Sequence, residues 1–153
     1  ETQTMQDVSA IGFTLVLRAS ETFPSGFTIT EVADDADPFD IPAVEIASTA
    51  MNVNGDLIAW SAPAPMTPTI NVVPGSESDK NLAILWDANR AARGKRHARD
   101  GITLVASYPD GSTKTFSEGK MTSGNPGGSI ASSGRIKSNA YVFAFQDLSI
   151  TRA

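Results

Sequence analysis

The chain has 153 residues, 41% of them hydrophobic, no cysteine and a formal net charge of −5. That length and apolar content fit a single globular domain, residues 1–153, with a sizeable core, and the missing thiols exclude disulfide stapling and thiolate metal sites. No apolar run reaches membrane-spanning length, and the opening ETQTMQDVSA lacks the basic start and apolar middle of a signal peptide, so a soluble protein made without secretion is expected.

Strand signals dominate along the chain. IGFTLVLRA (Ile11 to Ala19) has the β-branched content of a strand, and GFTITEVA (Gly26 to Ala33) alternates, with FPSG predicted as the turn between them. The acidic DDADPFDIP, broken by Pro38 and Pro42, reads as a loop. AVEIASTAM and DLIAWSA flank NVNG, whose Asn54-Gly55 is a strong hairpin signal. PAPMTPTINVVPG is a proline-punctuated strand, confined by its prolines to an edge or to strand ends.

One helix is predicted. Ser76 is its N-cap, Asp79 completes a capping-box-like start, and Leu82, Leu85, Trp86 and Ala92 fall on or near one face. Arg90 and Arg93 are placed in its last turn before Gly94, where the helix dipole favours cations. GITLVASY and STKTFSEG then surround the turn PDG, where Pro109 presets φ and Gly111 accepts a positive one. A glycine- and serine-rich loop follows, and RIKSNAYVFAFQDLSI closes the chain as a long alternating strand. The sum is a mainly β sandwich or barrel of about seven or eight strands with one flanking α-helix, and Trp60 and Trp86 are expected in its core.

A catalytic reading lacks parts. His97 is the sole histidine and sits among cations that disfavour imidazolium, and no Walker A, GxSxG or HExxH pattern occurs. The run DDADPFD fails the calcium-loop spacing, because Phe39 stands where that loop needs glycine. The glycine-rich loop opens no helix, so it is no phosphate cradle. No enzymatic activity, no metal and no cofactor are expected.

The charge is segregated. Ala19 to Asp79 holds ten acidic residues and no Lys or Arg, whereas Lys80 to Ala153 holds eleven basic residues against five acids. The basic residues concentrate in NRAARGKRHARDG (Asn89 to Gly101). No aromatic residue lies within that knot to stack bases, and the molecule as a whole is acidic, which disfavours nucleic-acid binding. The stronger reading is self-association, with the basic loop of one copy meeting the acidic loop of the next in a head-to-tail contact. Asp34, Asp35, Asp37 and Asp40 on one side, and Arg90, Arg93, Lys95, Arg96 and Arg99 on the other, are the candidate contact residues.

The β-domain with one helix, followed by DGSTKTFSEGKMTSG and SGRIKSNAYVFAFQD, resembles the tail tube proteins of long-tailed bacteriophages, especially contractile ones, over roughly Ser9 to Asp147. The resemblance implies hexameric rings stacked into a hollow tube in the phage tail, assembled in the host cytoplasm. The inner sheets of neighbouring subunits would join into one barrel around a lumen through which DNA leaves without specific binding. It also implies an N-terminal arm of about residues 1–9, a C-terminal arm of about 147–153, and sheath, terminator and baseplate proteins as partners, with no membrane. The hairpin VEIASTAMNVNGDLIAW, with the preceding acidic loop, is the expected contact with the adjacent ring, and the Lys-free stretch is expected either to line the channel, where its acidity would repel phosphates, or to form the loops at its seams. The prolines from Pro63 to Pro74 have no place in that pattern. The competing reading is a carbohydrate- or receptor-binding β-sandwich module of a virion.

Overall fold

The computed structural model describes residues 13–30, 32, 38–91, 93, 94, 96, 99–126, 130, 132–134 and 136–152. Along them run β1 (Thr14–Ala19), β2 (Phe23–Ile29), β3 (Phe39–Asp40), β4 (Ala47–Met51), β5 (Leu57–Ser61), β6 (Thr69–Val72), α1 (Glu77–Asn89), β7 (Ile102–Ser107), β8 (Thr113–Gly124) and β9 (Asn139–Thr151). Seven strands form one antiparallel sheet in the order β2-β1-β7-β8-β9-β6-β3, and β4 and β5 form a separate hairpin. The expected mainly β architecture with one helix is present.

Period-two alternation makes the sheet one-sided. Leu15 and Leu17 of β1, Ile102, Leu104 and Ala106 of β7, and Tyr141, Phe143 and Phe145 of β9 all point inward and are buried. The sheet curls around this core without closing. Its two ends approach where Val32, beyond β2, bridges Val72 of β6, and where the Phe13 and Phe39 rings stand 5.7 Å apart. Leu82 and Leu85 carry the inner face of α1 into the same cluster.

The N-terminus of α1 forms as the sequence predicts. The Ser76 hydroxyl accepts from the Asp79 amide at 3.2 Å. The Asp79 carboxylate does more than complete a capping box: it accepts from the Gly75 amide (3.0 Å), the Asn139 side-chain amide (2.8 Å) and the Tyr141 hydroxyl (3.0 Å). One acid of the Lys-free stretch is thereby spent inside the fold, tying α1 to β9. Burial of the Tyr141 phenol and its neighbouring carboxylate push that phenol well above its ordinary range.

Four expectations need correction. FPSG is not a turn. Phe23 to Gly26 belong to β2, the chain reverses at Ser20 to Thr22, and Gly26 (φ 80) absorbs the irregularity opposite Leu17 and Ala19. The helix stops at Asn89, with Arg90 already extended (φ −79, ψ 123), so Arg93 lies outside it and the dipole accounts for neither arginine. Trp60 is 52% exposed rather than in the core. The region from Asp147 to Thr151 is not a free arm but the end of β9, paired with Thr113 to Ser117 of β8; the expected N-terminal arm, 1–9, lies outside the described residues.

Candidate functional site

Two features set the surface apart, and both follow from how the sheet is edged. The first is the β4–β5 hairpin. Its turn is built locally: the Asn52 carboxamide oxygen accepts from the Asn54 and Asp56 amides (3.0 and 2.9 Å), and Gly55 takes φ 85. Ala47 pairs with Ser61, Ser48 with Trp60, Thr49 with Ala59, Ala50 with Ile58 and Met51 with Leu57. Alternation from these pairs gives one face of Ile46, Ser48, Ala50, Ile58 and Trp60, and another of Ala47, Thr49, Met51, Leu57, Ala59 and Ser61. Ile46 (77%), Leu57 (66%), Met51 (64%) and Val53 (102%) stand in solvent together with Trp60. A lone two-stranded hairpin is marginal in water, and an apolar surface of this kind marks a contact site.

The second feature is an open edge. Strand β6 covers β9 only from Asn139 to Val142, and Met66 adds a single bridge at Phe145. From Gln146 to Thr151 no strand among the described residues pairs with β9 on the side away from β8. The Leu148 amide there donates to the Asp147 carboxylate at 2.9 Å. Beside the start of this edge, Pro63, Ala64, Pro65, Ala144, Phe145 and Gln146 line an open cavity of about 380 Å³.

The predicted charged residues fall on two separate elements. Asp40 is exposed at the end of β3, paired in the ladder with Thr69. Asp34, Asp35 and Asp37 lie outside the described residues, as does Lys95. Arg90, Arg93, Arg96 and Arg99 are each exposed on the segment leaving α1. Arg90 lies 5.4 Å from the Trp86 ring centroid and pairs with Asp87 at 3.1 Å; both partners are exposed, which leaves that pair worth little. The segment is anchored by Asp100, 1% exposed. Its carboxylate accepts from the Glu21 amide (2.7 Å), from the Thr22 amide (2.9 Å) and hydroxyl (2.5 Å), and from the Asn89 side-chain amide (2.8 Å), while Asn89 accepts from the Asp100 amide (2.8 Å). Arg99 next to it takes φ 56, an uncommon conformation for a non-glycine residue, so the return of the basic segment is a built shape.

The β4–β5 hairpin lies within the Lys-free stretch yet is itself uncharged along its strands. Its strands, Ala47–Met51 and Leu57–Ser61, carry no charge, and Glu45 and Asp56 flank them. The hairpin itself was legible from NVNG; its solvent-exposed apolar side chains were signalled by apolar residues on both faces of strands that lack any charge.

The family described as tail fiber protein gp32 matches residues 6–149 of the chain. The chain belongs to that family. This gp32-family chain is a structural component of the virion tail, as the family's description indicates. No helix among the described residues is long and apolar enough to cross a membrane. None of the curated proteins matches the sequence. Among solved structures, a chain of the anti-feeding prophage baseplate superimposes with a TM-score of 0.60 at 15% identity, covering 98% of each chain. A chain of the same prophage's tube-terminating cap gives 0.59 at 14%, covering 100% of this chain and 96% of the other. A chain from the sheath/tube terminator of an extracellular contractile injection system gives 0.52 at 12%, covering 99% of each. At these identities the likeness is one of fold.

Proposed function

We propose that the gp32-family chain is a non-enzymatic ring-forming subunit of a contractile tail's tube, its copies closing side by side into hexamers that stack into a conduit for DNA. The observation that carries this reading is the detached β4–β5 hairpin with apolar side chains bare on both faces, together with a β9 edge to which, from Gln146 on, no strand among the described residues is paired. Two open edges on one chain, one projecting and one receiving, are what a closed intersubunit sheet consumes. The fold shared with tube-terminating and baseplate chains supports the reading. Because the hairpin strands are uncharged, the bore they line is neutral along that band rather than uniformly acidic, and DNA passes without an attractive wall. The basic segment (Arg90, Arg93, Lys95, Arg96 and Arg99) meets the acidic loop (Asp34, Asp35, Asp37 and Asp40) of the next ring, and sheath, terminator and baseplate proteins contact the same tube. The family's description as a tail fiber protein favours a second reading, a receptor-binding fibre module.

Sedimentation velocity separates the contacts. Wild type is expected to sediment as rings and stacks. Leu57→Ser with Trp60→Ser is expected to remain a folded monomer by circular dichroism, since neither side chain is buried. Arg93→Glu with Arg96→Glu is expected to keep single rings and lose stacking, more so at low salt. Wild type that stays monomeric at high concentration and binds glycans contradicts the ring reading and favours the fibre module.

A further inference from the structure

The tip of the β4–β5 hairpin carries a reactive pair. The chain has seven asparagines, and only Asn54 is followed by glycine. Both Asn54 and Gly55 are exposed, and nothing lies within 4 Å of where a Cβ on Gly55 would stand. A glycine nitrogen is the least hindered backbone nucleophile that a neighbouring carboxamide can meet. The Asn52 carboxamide is committed to the turn through the Asn54 and Asp56 amides, whereas the Asn54 carboxamide takes no part in those bonds. The Gly55 amide donates to the Asn52 carbonyl at 3.0 Å, and that bond restrains its nitrogen. The restraint is weak, because among the described residues the two strands pair only with each other, and a lone hairpin opens at little cost.

Two further pairs could follow related chemistry, and the fold disarms both. Asp100 precedes Gly101 and Asp110 precedes Gly111. An aspartate cyclises through its protonated carboxyl, and an ionised carboxylate is a poor electrophile. Burial raises the Asp100 carboxyl, yet the bonds from Thr22 and Asn89 outweigh it and hold the group ionised. The Ser112 hydroxyl and amide, at 2.6 and 2.9 Å, hold the exposed Asp110 carboxyl below its ordinary range.

We infer that Asn54 is a self-modification site, at which the hairpin tip converts without an enzyme to aspartate and isoaspartate. The Gly55 amide gives its proton to solvent base and its nitrogen attacks the Asn54 Cγ. The Cγ–Nδ2 bond breaks and ammonia leaves, closing a five-membered succinimide. Water then opens the ring. Cleavage at Cγ gives aspartate, and cleavage at the main-chain carbonyl gives isoaspartate; no electrons change hands. Either product adds one negative charge to a chain of formal charge −5. Isoaspartate also puts an extra main-chain carbon inside the turn, where the Asn52 amide donates to the Asp56 carbonyl at 3.0 Å, so the pairing of Met51 with Leu57 is set out of step. A copy left unassembled thereby ages out of any sheet that needs this register. That consequence rests on the ring reading, and the conversion itself does not.

The test is to hold the purified full chain in warm, mildly alkaline buffer and follow it by peptide mapping and native gel. The expected result is acid at Asn54 with isoaspartate the larger product, and a second band shifted toward the anode. Asn54→Gln is expected to abolish the band, and Asn52→Ala, which loosens the turn, to bring it on several-fold sooner. An unchanged Asn54, or conversion no faster than at Asn52 or Asp110, overturns the site. Sedimentation of fresh and aged protein separates the rest. Rings from fresh chain but not from aged chain support the ageing consequence, and equal rings from both overturn it. A fresh chain that stays monomeric removes the ring reading, while conversion at Asn54 still supports the site.

Discussion

Asp100→Ala is expected to melt roughly 6–12 °C below wild type, corresponding to a loss of about 3 kcal/mol. The carboxylate is buried and receives four hydrogen bonds from residues on two elements. Removing it leaves the Glu21 and Thr22 amides and the partly buried Asn89 carboxamide without their acceptor, and the loss of these charge-assisted bonds is then felt. Differential scanning calorimetry measures the shift; a change under about 2 °C would show that the cluster carries no weight. A pH dependence accompanies it. Burial alone raises the Asp100 carboxyl, but the hydrogen bonds from Thr22, Asn89 and the Glu21 amide outweigh burial and hold it below 3.8. A carboxyl depressed in the folded state contributes stability above its unfolded value and loses it as pH falls through the lower, folded value. The stability gap between wild type and Asp100→Asn is therefore expected to be widest at neutral pH and to narrow below about pH 4. A gap that stays constant into acid would contradict this.

Gly119→Val is expected to cost about 3 kcal/mol or more and to leave much of the protein insoluble on expression. A Cβ at Gly119 would meet Phe145 Cδ1 at 2.1 Å and Cε1 at 2.5 Å, and the backbone oxygen of Ala144 at 2.8 Å. A rotating phenyl ring cannot relieve the contact with a main-chain oxygen, so β8 and β9 must separate at their shared register. Glu118 beside it takes φ 53, and the pairs Phe116–Leu148 and Gly119–Phe145 lie three residues apart with buried side chains at both. Simple alternation would put the second pair on the opposite face, so the strands change face here, and a glycine allows them to do so closely packed. Gly119→Ala is expected to lose less, and Gly119→Ala with Phe145→Leu to recover part of that loss, because the smaller side chain makes room. Chemical denaturation measures all three; recovery absent from the double variant would show that the clash with the ring is not the cause.

Much of this fold could be read in advance where a local rule settles the structure. Asn54-Gly55 sets the hairpin, Pro109 to Gly111 the β7–β8 turn, Ser76 and Asp79 the start of α1, and the alternation of Tyr141, Phe143 and Phe145 the inner face of β9. The misses share a cause. The β1–β2 turn and the end of α1 both involve Asp100, which lies 78 and 79 residues from Thr22 and Glu21 and 11 from Asn89, so the turn leaves no mark in its own neighbourhood. FPSG is a good turn by composition and lost to that distant carboxylate. Arg93 was placed in the last turn before Gly94, with Ala92 on the helix face, yet Asn89 turns its amide onto the Leu85 carbonyl (2.9 Å) and onto Asp100, ending the helix early.

The candidate site was half visible. The hairpin could be named from its turn, and charge segregation could name the basic segment, but an open strand edge is a property of sheet order and has no residue signature. Asp79 shows the converse limit: its charge counts toward an acidic segment in the sequence, while in the fold it is consumed by Asn139, Tyr141 and Gly75.

Electron microscopy of the purified, unmodified chain at high concentration bears most directly on the assembly. Top views with six-fold symmetry around a stain-filled hole, and side views of stacked discs, are the predicted images. Single compact particles at every concentration, or solid filaments with no central opening, would mean that the bare hairpin and the unpaired β9 edge serve something other than a ring.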